Sequence, residues 1–396
     1  MPTIRSCLWV GLLPFISWSA SGQDLSGKVL DAQTGQPVSY ASVSLMGTTQ
    51  GTSSNAEGEF KLPRAKLPGR LLVSELSHRT DTLTVTGTQL VLVRLQPNTV
   101  ALPEVQLGSY TTEVLKKAYR QLQRTQEQKS YSQAFYRQIT TLDQDPTEVQ
   151  EMIWQAKSGN AGVEGTAMAQ GRYAKKKALL NFKDFSLYTR SIAMAAFTAD
   201  SSAGVMPLSL NPGANNTLRL VGVTENGERQ LVEIGFRNKA QPENEYGSVL
   251  IDAATYQVLR YRTTTQALNV KVNNPAFKLT GQTSTLEWVF RPVVAGAPIL
   301  DHVKVEYRGI LHRPIKADVP VQASSFLFLY DSQREAPSSV TYLPAKKGIT
   351  DLEAIKATSY NAAFWQNNSA VKRTPLEEKI IASFEQQGAF GTMLTP

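Results

Sequence analysis

The stretch TLRLVGVTENGERQLVEIGF, residues 217–236, decides how the larger part of this chain folds. Two apolar-rich runs flank Asn226-Gly227, and an Asn-Gly pair suits a two-residue type I′ turn, whose two central positions both need positive φ. The pattern predicts a pair of antiparallel neighbours. YGSVLIDAATYQVLRYRT, residues 246–263, repeats the logic with Asp252 to Thr255 as its turn, and STLEWVFRP, DHVKVEYRGI and ASSFLFLYD follow as further strands. Strands joined this tightly pair with their sequence neighbours. Residues 131–335 are therefore expected to form an antiparallel meander, a curved sheet or half-barrel, and the chain as a whole is mainly β.

Toward the N-terminus the texture changes. Between Asp24 and Pro97 the runs are short and of period two: Leu25, Gly27 and Val29, then Ala41, Val43 and Leu45, then Phe60 and Leu62. DAQTGQP and MGTTQGTSSNAEGEF separate them, with Gly47, Gly51 and Gly58 free to take positive φ. Short strands without a helical period read as an antiparallel β-sandwich over residues 23–97. On Gly27-Lys28-Val29, Asp31, TGQPV, ASVSLMGTTQGTSS and Glu57-Gly58-Glu59-Phe60, this unit resembles the carboxypeptidase-regulatory-like domain, a transthyretin-like sandwich of exported proteins of the Bacteroidetes type. The resemblance implies a non-catalytic module that accompanies other domains. One departure is the turn after the fourth strand, where the family carries a GY-like motif and this chain has ELSHRTD, residues 75–81, with His78 inside it. On GSVLIDAATYQVLRYR and on AFYRQIT, residues 134–140, the central region is similar to the lipoprotein-carrier-like half-barrels of the periplasm. That likeness implies a sheet wrapped around an apolar or acyl ligand, or one that binds another protein.

Residues 98–130 link the two. NTVALPEVQLGSY reads as a connector, and in the segment after it Val114, Leu115, Ala118, Tyr119 and Leu122 fall at helical spacing. That stripe predicts an amphipathic helix docked on a core rather than on a partner. In the C-terminal segment, residues 336–396, a helix is expected over 375–387: Thr374 supplies the N-cap, Pro375 the first turn and Glu377 the return bond of a capping box. Leu376, Ile380, Ile381 and Phe384 make its apolar stripe, and Gly388 stops it.

The first 22 residues read as a signal peptide: Arg5, then the apolar CLWVGLLPFISW, then the small residues Ala20-Ser21-Gly22. The expected location is the periplasm or the outer membrane's surface. Cleavage removes Cys7, the only cysteine, and with it disulfide, thiolate and cysteine–metal chemistry. No later run is long and apolar enough to span a bilayer as a helix. With 41% hydrophobic and 19% charged residues over 396 positions, the composition is that of a folded globular chain. The net charge of +8 is scattered apart from Lys175-Lys176-Lys177. That cluster fits a solvated strand end, and less readily a patch for phosphate or lipid headgroups.

Reactive groups are sparse. His302 lies on the strand DHVKVEYRG, where Val303, Val305 and Tyr307 form one face and His302, Lys304, Glu306 and Arg308 a face expected to meet solvent. A metal site joining His302, His312 and Asp301 would need that strand to bend. The pairs Glu148/Glu151 and Glu243/Glu245 are expected on the surface, and no nucleophile elbow, phosphate loop or zincin motif occurs. SGNAGVEGTAMAQG, residues 158–171, matches no nucleotide-binding spacing and reads as a flexible loop. Trp154, Tyr173, Phe182, Phe185, Tyr188, Trp288 and Phe290 are core candidates that could also line a hollow. The sequence thus points to an exported, non-enzymatic binding or interaction protein of the cell envelope. It names no catalytic, metal or cofactor residues, expects no nucleic acid, and has as partner an envelope protein or an apolar or acyl ligand. The alternatives are an envelope hydrolase of peptidase type and a structural part of an outer-membrane complex.

Overall fold

The computed structural model describes residues 23–48, 50–101, 107–160, 162–176, 180–182, 185–190, 207–226, 229–266, 270–272, 275–344, 350–367, 371 and 373–390. Residues 1–22, read above as a signal peptide, Lys177 and Gly227 lie outside them. The N-terminal strands are β1 (Gln23–Asp31), β2 (Ser42–Leu45), β3 (Gly51–Ser53), β4 (Glu59–Ala65), β5 (Gly69–Ser74), β6 (Asp81–Val85) and β7 (Val91–Leu95). They form two sheets, β4-β1-β7 and β3-β2-β5-β6, around a core that includes Leu25, Val29, Val43, Phe60, Val73 and Val93. The sandwich is not purely antiparallel, because β1 and β7 pair in parallel from Gly27↔Val91 to Asp31↔Leu95. These are the first and last strands of the unit, and the chain between them crosses the other sheet, which gives it the length a parallel return requires.

Two features of the opening motif have a steric reason. At Gly27 an added Cβ would lie 2.3 Å from the Phe60 ring and 2.5 Å from the Val91 carbonyl, so glycine is what lets Phe60 cross β1. Gly58 has φ +74°, and an added Cβ would meet the Val29 carbonyl at 2.4 Å. The Gly-Lys-Val and Glu-Gly-Glu-Phe segments are two halves of one close contact.

The chain then forms β8 (Thr99–Ala101), α1 (Leu107–Arg124), β9 (Ser130–Leu142), β10 (Asp145–Gly159), β11 (Gly162–Lys175), the short β12 (Leu180–Asn181) and a 3-10 turn at Phe185–Thr189. After these come β13 (Asn216–Asn226), β14 (Arg229–Asn238), β15 (Glu245–Asp252), β16 (Val258–Thr265), β17 (Lys271–Val272), β18 (Lys278–Arg291), β19 (Ile299–Arg313) and β20 (Lys316–Gln333). Eleven of these strands make one sheet in the order β11-β10-β9-β20-β19-β18-β16-β15-β14-β13-β8. Every pairing in it is antiparallel. It is more than a meander. The seam between β9 and β20 joins the first long strand to the last, from Val321↔Leu142 to Gln333↔Tyr131, and the connector contributes β8 at the far edge. The first hairpin closes at Asn226↔Arg229, one position beyond the Asn-Gly register expected for its turn. Asp252 closes the second, its Oδ1 accepting from the N–H groups of Ala254 and Thr255. The SGNAGVEGTAMAQG segment is no loop but the β10–β11 hairpin, paired as far as Gly159↔Gly162.

One face of the sheet is filled by the chain itself. Val114, Leu115, Ala118 and Leu122 of α1 join Tyr136, Trp154, Val232, Trp288 and Val305 in a single core. Trp154, Tyr173, Phe182, Phe185, Trp288 and Phe290 are all buried there, with Tyr188 packed against them. The expected hollow is therefore occupied, among the described residues, by the amphipathic helix and its neighbours. Burial of this kind stabilises by about 25 cal/mol per Å² of apolar surface. It requires no outside guest.

The opposite face carries two covers. Beyond β20 lie α2 (Asp351–Lys356), whose Ile355 joins the first core, then α3 (Ala362–Asn367) and α4 (Pro375–Gln386). Ile380, Ile381 and Phe384 of α4 pack on Ile139, Val149 and Ala174, whereas Leu376, expected in that stripe, is 66% exposed. The Thr374 capping box is present, with Thr374 Oγ1 accepting from Glu377 N–H at 3.0 Å, and Gly388 has φ +62° at the stop. The second cover is the sandwich, which lies over β14, β16, β18 and β19.

Candidate functional site

Where the sandwich meets the sheet, a cavity of about 730 Å³ remains. Its floor is apolar: Leu231 of β14 and Leu259 of β16 line it from the outer face, where they cluster with Leu250 of β15, and Leu76 of the sandwich packs against them. Its walls carry Arg79, Arg229, Arg260, Arg291 and Lys304, against the acids Glu75, Glu287 and Asp301. The balance is positive. Each acid is also answered locally. Asp301 meets Arg291 at 3.1 Å and His302 at 2.8 Å, Glu75 meets His78 at 2.6 Å, and Glu287 stands in register with Lys304 on the next strand. Arg260 is held by Glu233 at 2.8 Å, and Lys304 sits over the Tyr40 ring at 4.1 Å. Arg79 and Arg229 form no ion pair with another described residue, which leaves two guanidinium groups above a leucine floor.

The wall facing the sheet is the departing turn ELSHRTD. His78 Nδ1 lies 2.6 Å from Glu75 Oε2 and its Nε2 3.1 Å from Asp31 Oδ2. The Glu75 carboxylate raises the His78 pKa above its usual value, with Asp31 adding to it. Asp31 is itself held down to about 2, chiefly by the Thr34 N–H, with Gln33 N–H and His78 contributing. The same turn is tied to the connector, with Asn98 N–H donating to Ser77 O and Asn98 Nδ2 to Leu76 O. His78 is thus a staple: it fixes the loop that presents Leu76 and Arg79 to the cavity.

His302 is not solvent-facing. It is 6% exposed, its ring 6.2 Å from that of Tyr40 and 5.5 Å from that of Phe326, because the sandwich covers the face that alternation assigned to water. Between Val289↔His302 and Phe290↔Leu300 the register slips by one residue, leaving Asp301 as the extra residue of a bulge. A bulge re-aims a side chain, and here Asp301 reaches both His302 and Arg291. His312, ten residues along the same uninterrupted strand and thus roughly 33 Å away, binds Asp318 at 2.8 Å. The two histidines do not meet. Among the described residues, no three His, Cys, Asp or Glu side chains are placed to hold a metal.

The carboxylate pairs divide. Glu243 and Glu245 are surface groups, bound by Arg237 and Asn238. Glu148 and Glu151 are each 1% exposed, contrary to expectation, because both faces of β10 are covered. Glu151 Oε1 lies 2.7 Å from Arg137 Nε, and Oε2 2.6 Å from Arg172 Nε. Those arginines continue to α4, Arg137 to Glu377 at 3.1 Å and Arg172 to Glu385 at 2.9 Å, with Arg172 also between the Trp365 and Phe390 rings. Burial opposes the Glu151 charge, but Arg137, Arg172 and Arg373 outweigh it and hold the carboxyl at about 2. Among the described residues Glu148 has only Lys175 at 3.8 Å as an ion partner, and burial pushes it up to about 7. Of the lysine cluster, Lys175 serves Glu148 and Lys176 serves Asp145 at 2.9 Å, so these two are answered within the chain.

Sequence reading missed the cavity, although one signal was present. Leu231-Val232, Leu250-Ile251 and Val258-Leu259 place apolar residues at consecutive positions. A strand with only one covered face alternates, so such doublets mean that both faces are covered.

With this geometry in place, likeness to known proteins can be stated. Residues 25–107 match the family model of the CarboxypepD_reg-like domain, and the sandwich with its connector is a domain of that kind. A comparison with curated proteins found no match. Among solved structures, the chain is similar at 12% identity to a Bacteroides fragilis protein of unknown function, provisionally described as membrane-associated. The match covers 78% of this chain and 98% of that one, with a TM-score of 0.15, and nothing is transferred from it. No helix among the described residues is long and apolar enough to cross a membrane.

Proposed function

We propose that this chain is a non-catalytic binding protein of the cell envelope, and that its site is the cavity between the sandwich and the outer face of the sheet. The ligand class the walls suit is an amphiphile with an anionic head, such as a carboxylate on an acyl chain. The observation that carries the reading is the pair of guanidinium groups, Arg79 and Arg229, without ion partners among the described residues, in a cavity floored by Leu231 and Leu259. A cavity of about 730 Å³ falls in the range of small-molecule sites, which combine apolar lining with a few placed polar groups. The sandwich then has a task that needs no reactive group: it supplies one wall and, through the His78 staple, holds it still.

The test compares a long-chain fatty acid with the uncharged alcohol of the same length in thermal unfolding and titration calorimetry. The acid should raise Tm in a concentration-dependent way, as any ligand selective for the native state does. Replacing Arg79 and Arg229 together with Gln should abolish the preference for acid over alcohol while leaving the unliganded Tm within about 2 °C, because neither makes an ion pair here. Equal response to acid and alcohol in the wild type, or no response to either, would refute the proposal.

A hydrolase reading has one observation in its favour, the His302–Asp301 pair in the cavity wall at 2.8 Å. Against it, the His302 ring is packed under Tyr40 and Phe326, and none of the hydroxyl groups of the described residues is hydrogen-bonded to its Nε2. Ester or peptide turnover lost in His302→Gln, with Tm retained, would favour that reading over binding.

A further inference from the structure

The β18–β19–β20 blade stands clear of the rest of the sheet. On one side β16 stops pairing at Thr265↔Ser284, and on the other β9 stops at Leu142↔Val321. Lys278–Thr283, Arg308–Arg313 and Lys316–Val319 therefore continue as a three-stranded tongue without flanking strands among the described residues, for about five residues or roughly 16 Å. Its inner face is anchored, since Leu311 and Val319 are buried in the core.

The tip is built against the usual rules of turn chemistry. Ile315 takes φ +65°, a region that Gly or Asn enters readily and a β-branched residue does not. It is also fully exposed, at 106%. Arg313 braces the turn by donating from Nε and Nη2 to the Ala317 carbonyl. A sequence selected for folding alone would gain by placing Asn or Gly here. The inference runs from that outlier to function.

Its surroundings point to one kind of partner. Ile310 is a second exposed aliphatic, at 43%, lower on the blade opposite Pro320, and Lys278, Arg313 and Lys316 lie next to the turn, with Arg308 at the tongue's base opposite Thr283. Of the two acids, Asp318 is bound by His312 and Glu306 lies 3.8 Å from Arg308. Lys278 and Lys316 make no ion pair with another described residue. Among the described residues the tongue beyond Thr283 and Arg308 has no Phe, Tyr or Trp at its tip, whereas protein interfaces draw much of their binding energy from aromatic anchors. An aliphatic point ringed by cations instead matches a bilayer with anionic headgroups, where the apolar side chain enters the acyl boundary and Lys and Arg stay at headgroup level. We infer that the β18–β20 tongue is a peripheral docking element for an anionic lipid surface, entered by Ile315 and held by Lys278 and Lys316.

The test is co-sedimentation of the chain from Gln23 onward with vesicles of phosphatidylcholine alone and of phosphatidylcholine mixed with phosphatidylglycerol. Binding is expected to the mixed vesicles and to fall with added salt. Each cation near such a surface contributes about fivefold in partitioning, so Lys278→Glu with Lys316→Glu should lose at least about 25-fold. Ile315→Asn separates docking from folding: Asn suits the positive φ, so Tm should hold or rise while vesicle binding drops about tenfold or more. The inference is overturned if Ile315→Asn binds as the wild type does, if phosphatidylcholine alone is bound equally well, or if neither vesicle is bound. An envelope protein captured through the same tip in the absence of lipid would likewise overturn it.

Discussion

Glu148→Gln tests how the interior of the sheet handles charge. Glu148 is buried at the start of β10, and that burial, only partly offset by Lys175, holds its carboxyl at about 7 against an ordinary 4.5. Between those values the native chain keeps a proton that the unfolded chain has released, so the native state binds more protons and stability falls as pH rises. The contribution is fully present below about 4.5 and is lost as pH passes through about 7. At about 1.4 kcal/mol per pH unit the loss is on the order of 3 kcal/mol. Glutamine has nearly the shape of the protonated acid and cannot ionise. The variant should match the wild type near pH 4.5 and exceed it by ~3 kcal/mol near pH 8, a Tm gap of roughly 4 °C. Thermal unfolding followed by circular dichroism across that range measures it, and the difference between the two curves removes every other titrating group. Curves that stay parallel from acid to alkaline pH, or a variant that becomes the weaker one at high pH, would refute the reasoning.

Other expectations concern the C-terminal cover and the sandwich. Glu151→Ala leaves Arg137 and Arg172 buried without their shared acceptor and should cost about 3–5 kcal/mol, with α4 becoming cleavable under limited proteolysis. For the wild type, the depressed Glu151 adds an acid limb: its contribution is present above 4.5 and is lost as pH falls toward about 2, a loss that Glu151→Gln should not show. Gly27→Ala should destabilise the sandwich by several kcal/mol through the Phe60 contact, and Phe60→Leu in the same chain should recover part of it, as read by urea unfolding. His78→Gln should lower stability most at acid pH, because the raised His78 contributes fully below about 6.5 and loses that contribution as pH rises through its higher native value.

Strand identity and pairing sense were legible wherever one face is wet. Ala41, Val43 and Leu45 alternate cleanly, and Asp252 announces its own turn. The α1 stripe was equally plain, since its five apolar residues allow one docking face. What sequence could not show is what covers a face. His302 occupies a position that alternation gives to solvent, and only the sandwich folding back over β19 buries it. Glu148 and Glu151 sit three apart on one strand, so they point to opposite faces, and their burial depends on α4, more than two hundred residues on, and on the segment around Asp351. The bulge at Asp301 has no composition signal at all. The parallel β1–β7 pair and the β9–β20 seam are long-range closures, set by the whole unit rather than by any local run.

That seam has a consequence for how the molecule comes into being. Tyr136 and Phe135 lie opposite Leu327 and Phe328, so the middle of the large sheet is stitched from pieces separated by some two hundred positions. Closing so long a loop is entropically slow. If the leader directs export, the chain emerges with β9, β10 and β11 already available while their neighbour is still on the other side. An unpaired strand bearing Phe135 and Ile139 is an invitation to aggregate. Maturation of this protein should therefore wait on arrival of β20 and depend on something holding the exposed edge of β9 in the interval.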